Sequence, residues 1–97
     1  VVILVVLQLW LLTATMNDLV ARHGKPIMVV ETGYQFDDPQ AGKLAMDDVI
    51  ARTKALGDKG LGVFYWEPIA HPKWSRYQLS SMNDQGQLTA AMDAFKH

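Results

Sequence analysis

Two glutamates stand where a carboxylate could do chemistry. Glu31 directly follows the apolar run 27–30 (IMVV), and Glu67 directly follows 61–66 (LGVFYW). Continuous apolar runs of this length, rich in β-branched or aromatic residues, suit strands buried on both faces of a parallel sheet. In α/β folds, ligands bind beyond the C-terminal ends of such strands. Desolvating a carboxylate is costly, so one placed there needs a reason. Three readings are open for each glutamate: it sits in solvent past its strand, it pairs with a nearby Lys or Arg, or it acts on a ligand.

The aromatic residues at the same edge narrow the chemistry. Six of the nine aromatics fall after residue 63, and Tyr34, Tyr65, Trp66 and Trp74 all lie at or near the two strand ends. Sugar rings present flat C–H faces, and large aromatic side chains offer matching apolar platforms. Side chains alternate along a strand, so one of Tyr65 and Trp66 packs inward. Trp74 lies in the polar stretch HPKWSRY and is open to either core packing or ligand contact.

Other chemistries find little support. With no cysteine, disulfides and thiolate metal sites are excluded. His23 and His71 are far apart and have no carboxylate at ligand spacing, so no metal site is expected. The glycines between 57 and 62 precede a strand instead of opening a helix, which rules out a phosphate loop. A net charge of −1 argues against a nucleic-acid partner.

The elements that must carry these residues alternate along the chain. Thr13 can cap a helix in which Met16, Leu19 and Val20 recur at helical spacing; Arg22 and His23 suit its C-terminal dipole, and Gly24 followed by Pro26 ends it. After the first strand, Asp38 as N-cap and Pro39 at the first helical position open a second helix. Met46, Val49, Ile50, Thr53 and Leu56 form its apolar stripe, and Gly57 closes it. The second strand follows at 61–66, then a polar turn at 83–86 and a short last helix at about 89–95. Strands alternating with helices imply an α/β fold with parallel strands and right-handed crossovers.

Residues 1–12, VVILVVLQLWLL, are the anomaly. They are too short for a membrane-spanning helix, which needs about 20 apolar residues. They also lack the basic start and small-residue cleavage site of a signal peptide. A buried strand with its exit loop, sequence foreign to the domain, and a membrane-targeting segment are the three readings.

The motifs then match something specific. MNDLVARHGKPIMVVETGY resembles the segment of glycoside hydrolase family 53 endo-β-1,4-galactanases that runs from the sixth helix into the seventh strand. GLGVFYWEP resembles the eighth strand of that family, and NDQGQLTAAMDAF its closing turn and last helix. The resemblance covers residues 13–97. It implies the C-terminal part of a (β/α)8 barrel, about strands seven and eight with their flanking helices. The 97 residues are well short of the roughly 250 that a whole barrel uses.

The resemblance also implies roles. Glu31 corresponds to the nucleophile of a retaining glycosidase that cleaves within the galactan and arabinogalactan side chains of pectin. Retention requires a second carboxyl group about 5 Å away as acid and then base. Adjacent strand ends lie about that far apart, which would pair Glu31 with Glu67. The family instead takes its acid/base from an Asn-Glu pair ending strand four, which is not in this chain. Glu67 is then a site-shaping residue, with Tyr34, Trp66 and Trp74 as further substrate-binding residues. A cis peptide is expected between Trp66 and Glu67. Neither a cofactor nor a metal is implied: the stretch after Glu31, about residues 32–39, is too short for the calcium-holding loop of some bacterial relatives. The resemblance further implies a secreted, periplasmic or cell-surface enzyme, monomeric when complete, with a polysaccharide and neither nucleic acid nor membrane as its partner.

One departure bears on activity. Where the family carries a strand-six motif rich in Tyr, Trp and His, this chain has residues 1–12. That favours a truncated or frame-shifted gene and an inactive portion. An inactive relic or carbohydrate-binding fragment, and a glycosidase of the same clan with another linkage specificity, are the competing readings.

Overall fold

The computed structural model describes residues 2–5 and 11–96. Its elements alternate as the apolar pattern implies. β1 (Val2–Val5) leads to α1 (Leu12–His23), β2 (Ile27–Glu31), α2 (Pro39–Lys54) and β3 (Gly60–Val63); a single helical turn, α3 (Pro72–Ser75), comes later. The three strands form one parallel sheet in the order β1-β2-β3. Within the apolar segment 1–12, Val2–Val5 form β1, and residues 6–10, where its exit loop is expected, lie outside the described residues.

By compactness the chain divides into two units. The first holds β1, α1, β2, α2 from Asp48 onward and β3 as far as Phe64; the second holds Gly33–Asp47 and the chain from Tyr65 onward.

In the first unit, the middle strand carries the core. Ile27 and Val29 are fully buried, and they pack with Leu12 and Met16 of α1 and Val49 of α2. Leu19, Val20, Leu56 and Val63 close the periphery of this cluster. A strand flanked on both sides must satisfy its backbone within the ladder and can be apolar throughout, which is the composition of 27–30. Glycine is required at position 60: a Cβ there would collide with the Thr53 carbonyl, where the end of α2 passes over the start of β3.

Helix boundaries follow local chemistry, with one correction. Gly24 takes the left-handed conformation (φ 61°) and its N–H closes onto the Val20 carbonyl. Asp38 caps α2 through a bond from the Ala41 N–H to its Oδ1 at 3.2 Å, with Pro39 in the first turn. Thr13, expected to cap α1, does not. The helix begins one residue earlier, with Leu11 at the N-cap and no side-chain cap. This start puts Leu12 and Met16 four residues apart on the buried face, and burial outweighs a cap worth about 1 kcal/mol. The Thr13 hydroxyl instead accepts from Arg52 Nη1 at 2.7 Å.

The second strand is shorter than its apolar run. β3 ends at Val63, and the Phe64 N–H gives a last bond to the Val29 carbonyl at 2.8 Å. Beyond that point the polar groups of Tyr65 bond elsewhere, to Tyr34 and Leu79.

In the second unit, Ala45, Met46, Ala91 and Ala94 are buried, as are Ser80 and Ser81. Ser81 satisfies its hydroxyl on the Pro68 carbonyl at 2.7 Å, and its own carbonyl accepts from both Thr89 N and Thr89 Oγ1. The polar turn expected at 83–86 forms: Asn83 Oδ1 accepts from the N–H groups of Gln85 and Gln87, and Gly86 has φ 77°. The last helix is a 3-10 helix, Ala90–Phe95.

Candidate functional site

Glu31 is the last residue of β2, opposite Val5 in the register with β1. It is half-buried, and the next residue, Thr32, is buried. Among the described residues, no Lys or Arg forms an ion pair with Glu31 or with Glu67. The pairing explanation for a carboxylate at a strand end is therefore not realised for either.

The other four candidates belong to the second unit. Tyr65 and Trp66 lie beyond the end of β3, so strand alternation does not govern them, yet they divide: Tyr65 packs its ring edge-on to Phe95 (6.3 Å, 63°), while Trp66 is 47% exposed. Glu67 is exposed and takes a left-handed conformation, φ 51°. The cis peptide expected between Trp66 and Glu67 is not present, since no peptide bond among the described residues is cis. The chain turns here through the positive φ of Glu67, and the Glu67 carbonyl accepts from Ala70 N at 3.2 Å.

Tyr34 is held through its backbone. Its N–H donates to the Tyr65 hydroxyl at 3.3 Å, and that hydroxyl donates to the Leu79 carbonyl at 2.6 Å. Burial pushes the Tyr65 phenol up to about 12; the Tyr34 backbone bond works against this and the neighbouring Tyr77 adds slightly to it. The proton therefore stays on the oxygen that donates to Leu79. Gly33 adds to the same junction, because a Cβ there would lie 2.8 Å from the Leu79 carbonyl. Sequence reasoning treats Tyr65 only as one of two alternating aromatics. No pattern in the sequence marks the carbonyl that its hydroxyl reaches fourteen residues on.

Trp74 is 84% exposed, which settles against core packing. It sits on α3, and its ring stacks on that of His71 at 4.2 Å and 12°. His71 is also the helix cap: its Nδ1 accepts from the Lys73 N–H at 3.2 Å. The partnership has a sequence signal that is easy to miss, since residues three apart on a helical turn share a face. A pocket of about 620 Å³ opens beside this pair, lined among others by Ile69, Met82, Asp84 and Gln85.

A carboxylate at a parallel strand end and an exposed aromatic platform are both in place, and the comparisons speak to what they belong to. No family model matches the chain. In sequence it is 30% identical to the endo-β-1,4-galactanase of Bacillus subtilis (strain 168) over 90 residues, covering 70% of this chain and 21% of that protein. In structure it matches a fungal β-1,4-galactanase with a TM-score of 0.77 at 17% identity, covering 99% of this chain and 38% of that one. The chain resembles part of a β-1,4-galactanase. Its fold is that of part of a (β/α)8 barrel, with β2 and β3 as the expected strands seven and eight. It spans about a fifth of the length of the curated relative it matches.

Among the described residues, no helix is long and apolar enough to cross a membrane, and no group of three or more His, Asp or Glu could hold a metal ion.

Proposed function

We propose that this chain supplies the nucleophile and part of the sugar-binding surface of a retaining glycosidase that cleaves β-1,4-galactosidic bonds within galactan and arabinogalactan. The observation that carries this reading is Glu31: a carboxylate ending the middle strand of a parallel sheet, with no ion-pair partner among the described residues, in a chain similar to galactanases.

The chemistry is a double displacement. A Glu31 carboxylate oxygen attacks the anomeric carbon, and the bond to the leaving oxygen breaks as an acid protonates that oxygen. The resulting glycosyl ester is then cleaved by water, which gives its proton to the same group, now acting as base. Glu67 does not fill that second role. The acid/base carboxyl comes from a part of the barrel outside these 97 residues, so the chain alone has no turnover. Trp66, Tyr34 and Trp74 pack against sugar rings, and Glu67 shapes the site around them. This chemistry needs no metal or cofactor. The galactan side chains of pectin are the substrate, and the whole enzyme works as a monomer outside the cell or in the periplasm.

A chimera tests this reading. Residues 13–97 are joined to the preceding barrel of the Bacillus subtilis enzyme, and reducing ends released from galactan are measured. Turnover is expected, with its loss on Glu31→Gln, because a carboxamide cannot serve as the nucleophile that forms the glycosyl ester, and a residual rate on Glu67→Gln. Equal rates for Glu31→Gln and the parent chimera would sink the assignment.

A further inference from the structure

Resting on the reading of Glu31 as nucleophile, we infer that Val30 is a positioning residue for it, the extra residue of a β-bulge that turns the carboxylate off the helix-packed face of the sheet. The register between β1 and β2 advances one residue at a time as far as Leu4↔Val29, and the next pair is Val5↔Glu31. One step along β1 therefore answers two along β2, and Val30 has no partner of its own in that ladder. Two residues opposite one is the arrangement of a β-bulge. The register between β2 and β3 runs only from Ile27 to Val29, so beyond Val29 the pairing of β2 is with β1 alone.

Burial along the strand records the same slip independently. Side chains of a regular strand alternate between its two faces. Ile27 and Val29 are fully buried and pack with Leu12, Met16 and Val49, while Met28 between them is half-buried. Continued alternation would make Glu31 the next buried residue and leave Thr32 on the other face. Instead Val30 and Glu31 are both half-buried, and the next buried residue is Thr32, at 3% exposure. The interval between buried positions is two residues from Ile27 to Val29 and three from Val29 to Thr32. That is the effect of one inserted residue, since a slip of one exchanges the two faces.

The consequence falls on the carboxylate. In regular phase Glu31 would follow Ile27 and Val29 toward α1 and α2, where an unpaired charge is costly to bury and a sugar cannot reach it. The bulge moves it to the face that Met28 shares, and Thr32 takes the next helix-packed position. Bulges at barrel rims and beside active sites re-aim side chains in this way, and they are rare between parallel strands. The role is one of residue count, so it belongs to the position and not to the valine side chain.

Two measurements test this. The chain has no cysteine, so Val29→Cys, Val30→Cys, Glu31→Cys and Thr32→Cys each give a single thiol whose labelling by a small methanethiosulfonate reads exposure. Native-state rates are followed by mass spectrometry and normalised to the rates in urea. Val29→Cys and Thr32→Cys should label at least about tenfold more slowly than Val30→Cys and Glu31→Cys. Protection of Glu31→Cys with free labelling of Thr32→Cys is the regular phase and overturns the bulge. In the chimera, deletion of Val30 places Glu31 one step after Val29, on the same face but without the bend of the bulge. Its kcat should fall by about 10–100-fold with KM within about twofold, since a misplacement near 1 Å can cost about 10²-fold. An unchanged kcat overturns the positioning role. So does a loss as complete as that of Glu31→Gln, in a deletion variant whose dichroism and melting temperature match the parent, because only a regular strand would turn Glu31 to the other face. A parent chimera without turnover removes the nucleophile reading and the positioning role with it. The labelling pattern decides the bulge in every case, including that of a deletion variant that does not fold.

Discussion

Tyr65→Phe removes one oxygen and should expose the junction it holds. In the native chain that oxygen donates to the Leu79 carbonyl at 2.6 Å and receives the Tyr34 N–H at 3.3 Å. The variant keeps the ring and its contact with Phe95 but leaves both backbone groups without this partner. An unsatisfied, partly buried polar group costs about 1–3 kcal/mol, and a loss of about 2 kcal/mol is expected at pH 7. For a domain of this size that is a melting temperature lower by about 8–16 °C. The alkaline limb gives a second, independent signature. The phenol is pushed from 10.0 up to about 12 by burial, so the folded state favours the neutral form. Its contribution is complete below pH 10 and is lost as pH rises from 10 to 12. For a fully buried group the change would be about 2.7 kcal/mol; for this half-buried one, solvent screening reduces it to about 1–2 kcal/mol. Urea denaturation followed by circular dichroism at pH 7, 10 and 12 reads both effects. The gap between native chain and variant should be largest at pH 7 and narrow by pH 12. A variant as stable as the native chain at pH 7, or a gap constant across the three pH values, would refute the role given to the hydroxyl.

Two further substitutions test the packing and the caps. Gly60→Ala drives a Cβ into the Thr53 carbonyl, a backbone atom that cannot swing aside, and should cost about 1–3 kcal/mol or more by chemical denaturation. Asp38→Ala should cost about 1 kcal/mol by removing the α2 cap, while Thr13→Ala should stay within about 0.5 kcal/mol; reversal of that order would restore the cap read from the sequence.

The pattern of the sequence carried the layout further than it carried the details. Gly24, Asp38, Pro39 and the run 27–31 act locally, through φ preference, a short hydrogen bond or continuous burial, and each does in the fold what its type implies. Thr13 misleads because its capping chemistry competes with Leu12, whose burial is a tertiary fact no local pattern contains. The run 61–66 reads as one strand because apolarity continues through it, yet its pairing stops near Phe64, where Tyr65 bonds to groups at positions 34 and 79. The resemblance pointed to a cis peptide after Trp66, and the chain instead turns through the positive φ of Glu67. The strand-end place of Glu31 and the exposure of Trp74 were legible from an apolar run and a polar loop. The His71 support beneath Trp74 and the Tyr65 junction depend on contacts that only the folded chain makes.

The role of Glu31 is open to direct chemical capture. The chimera carrying residues 13–97 is incubated with a 2-deoxy-2-fluoro-β-galactobioside bearing a good leaving group, which slows release of a glycosyl ester once it has formed. Digestion and peptide mass spectrometry then locate the fluorinated sugar. One sugar per chain, bonded to Glu31 and absent after Glu31→Gln, is the predicted result. A sugar bonded to Glu67 or to any other residue, or hydrolysis of galactan with inversion at the anomeric carbon, would contradict it.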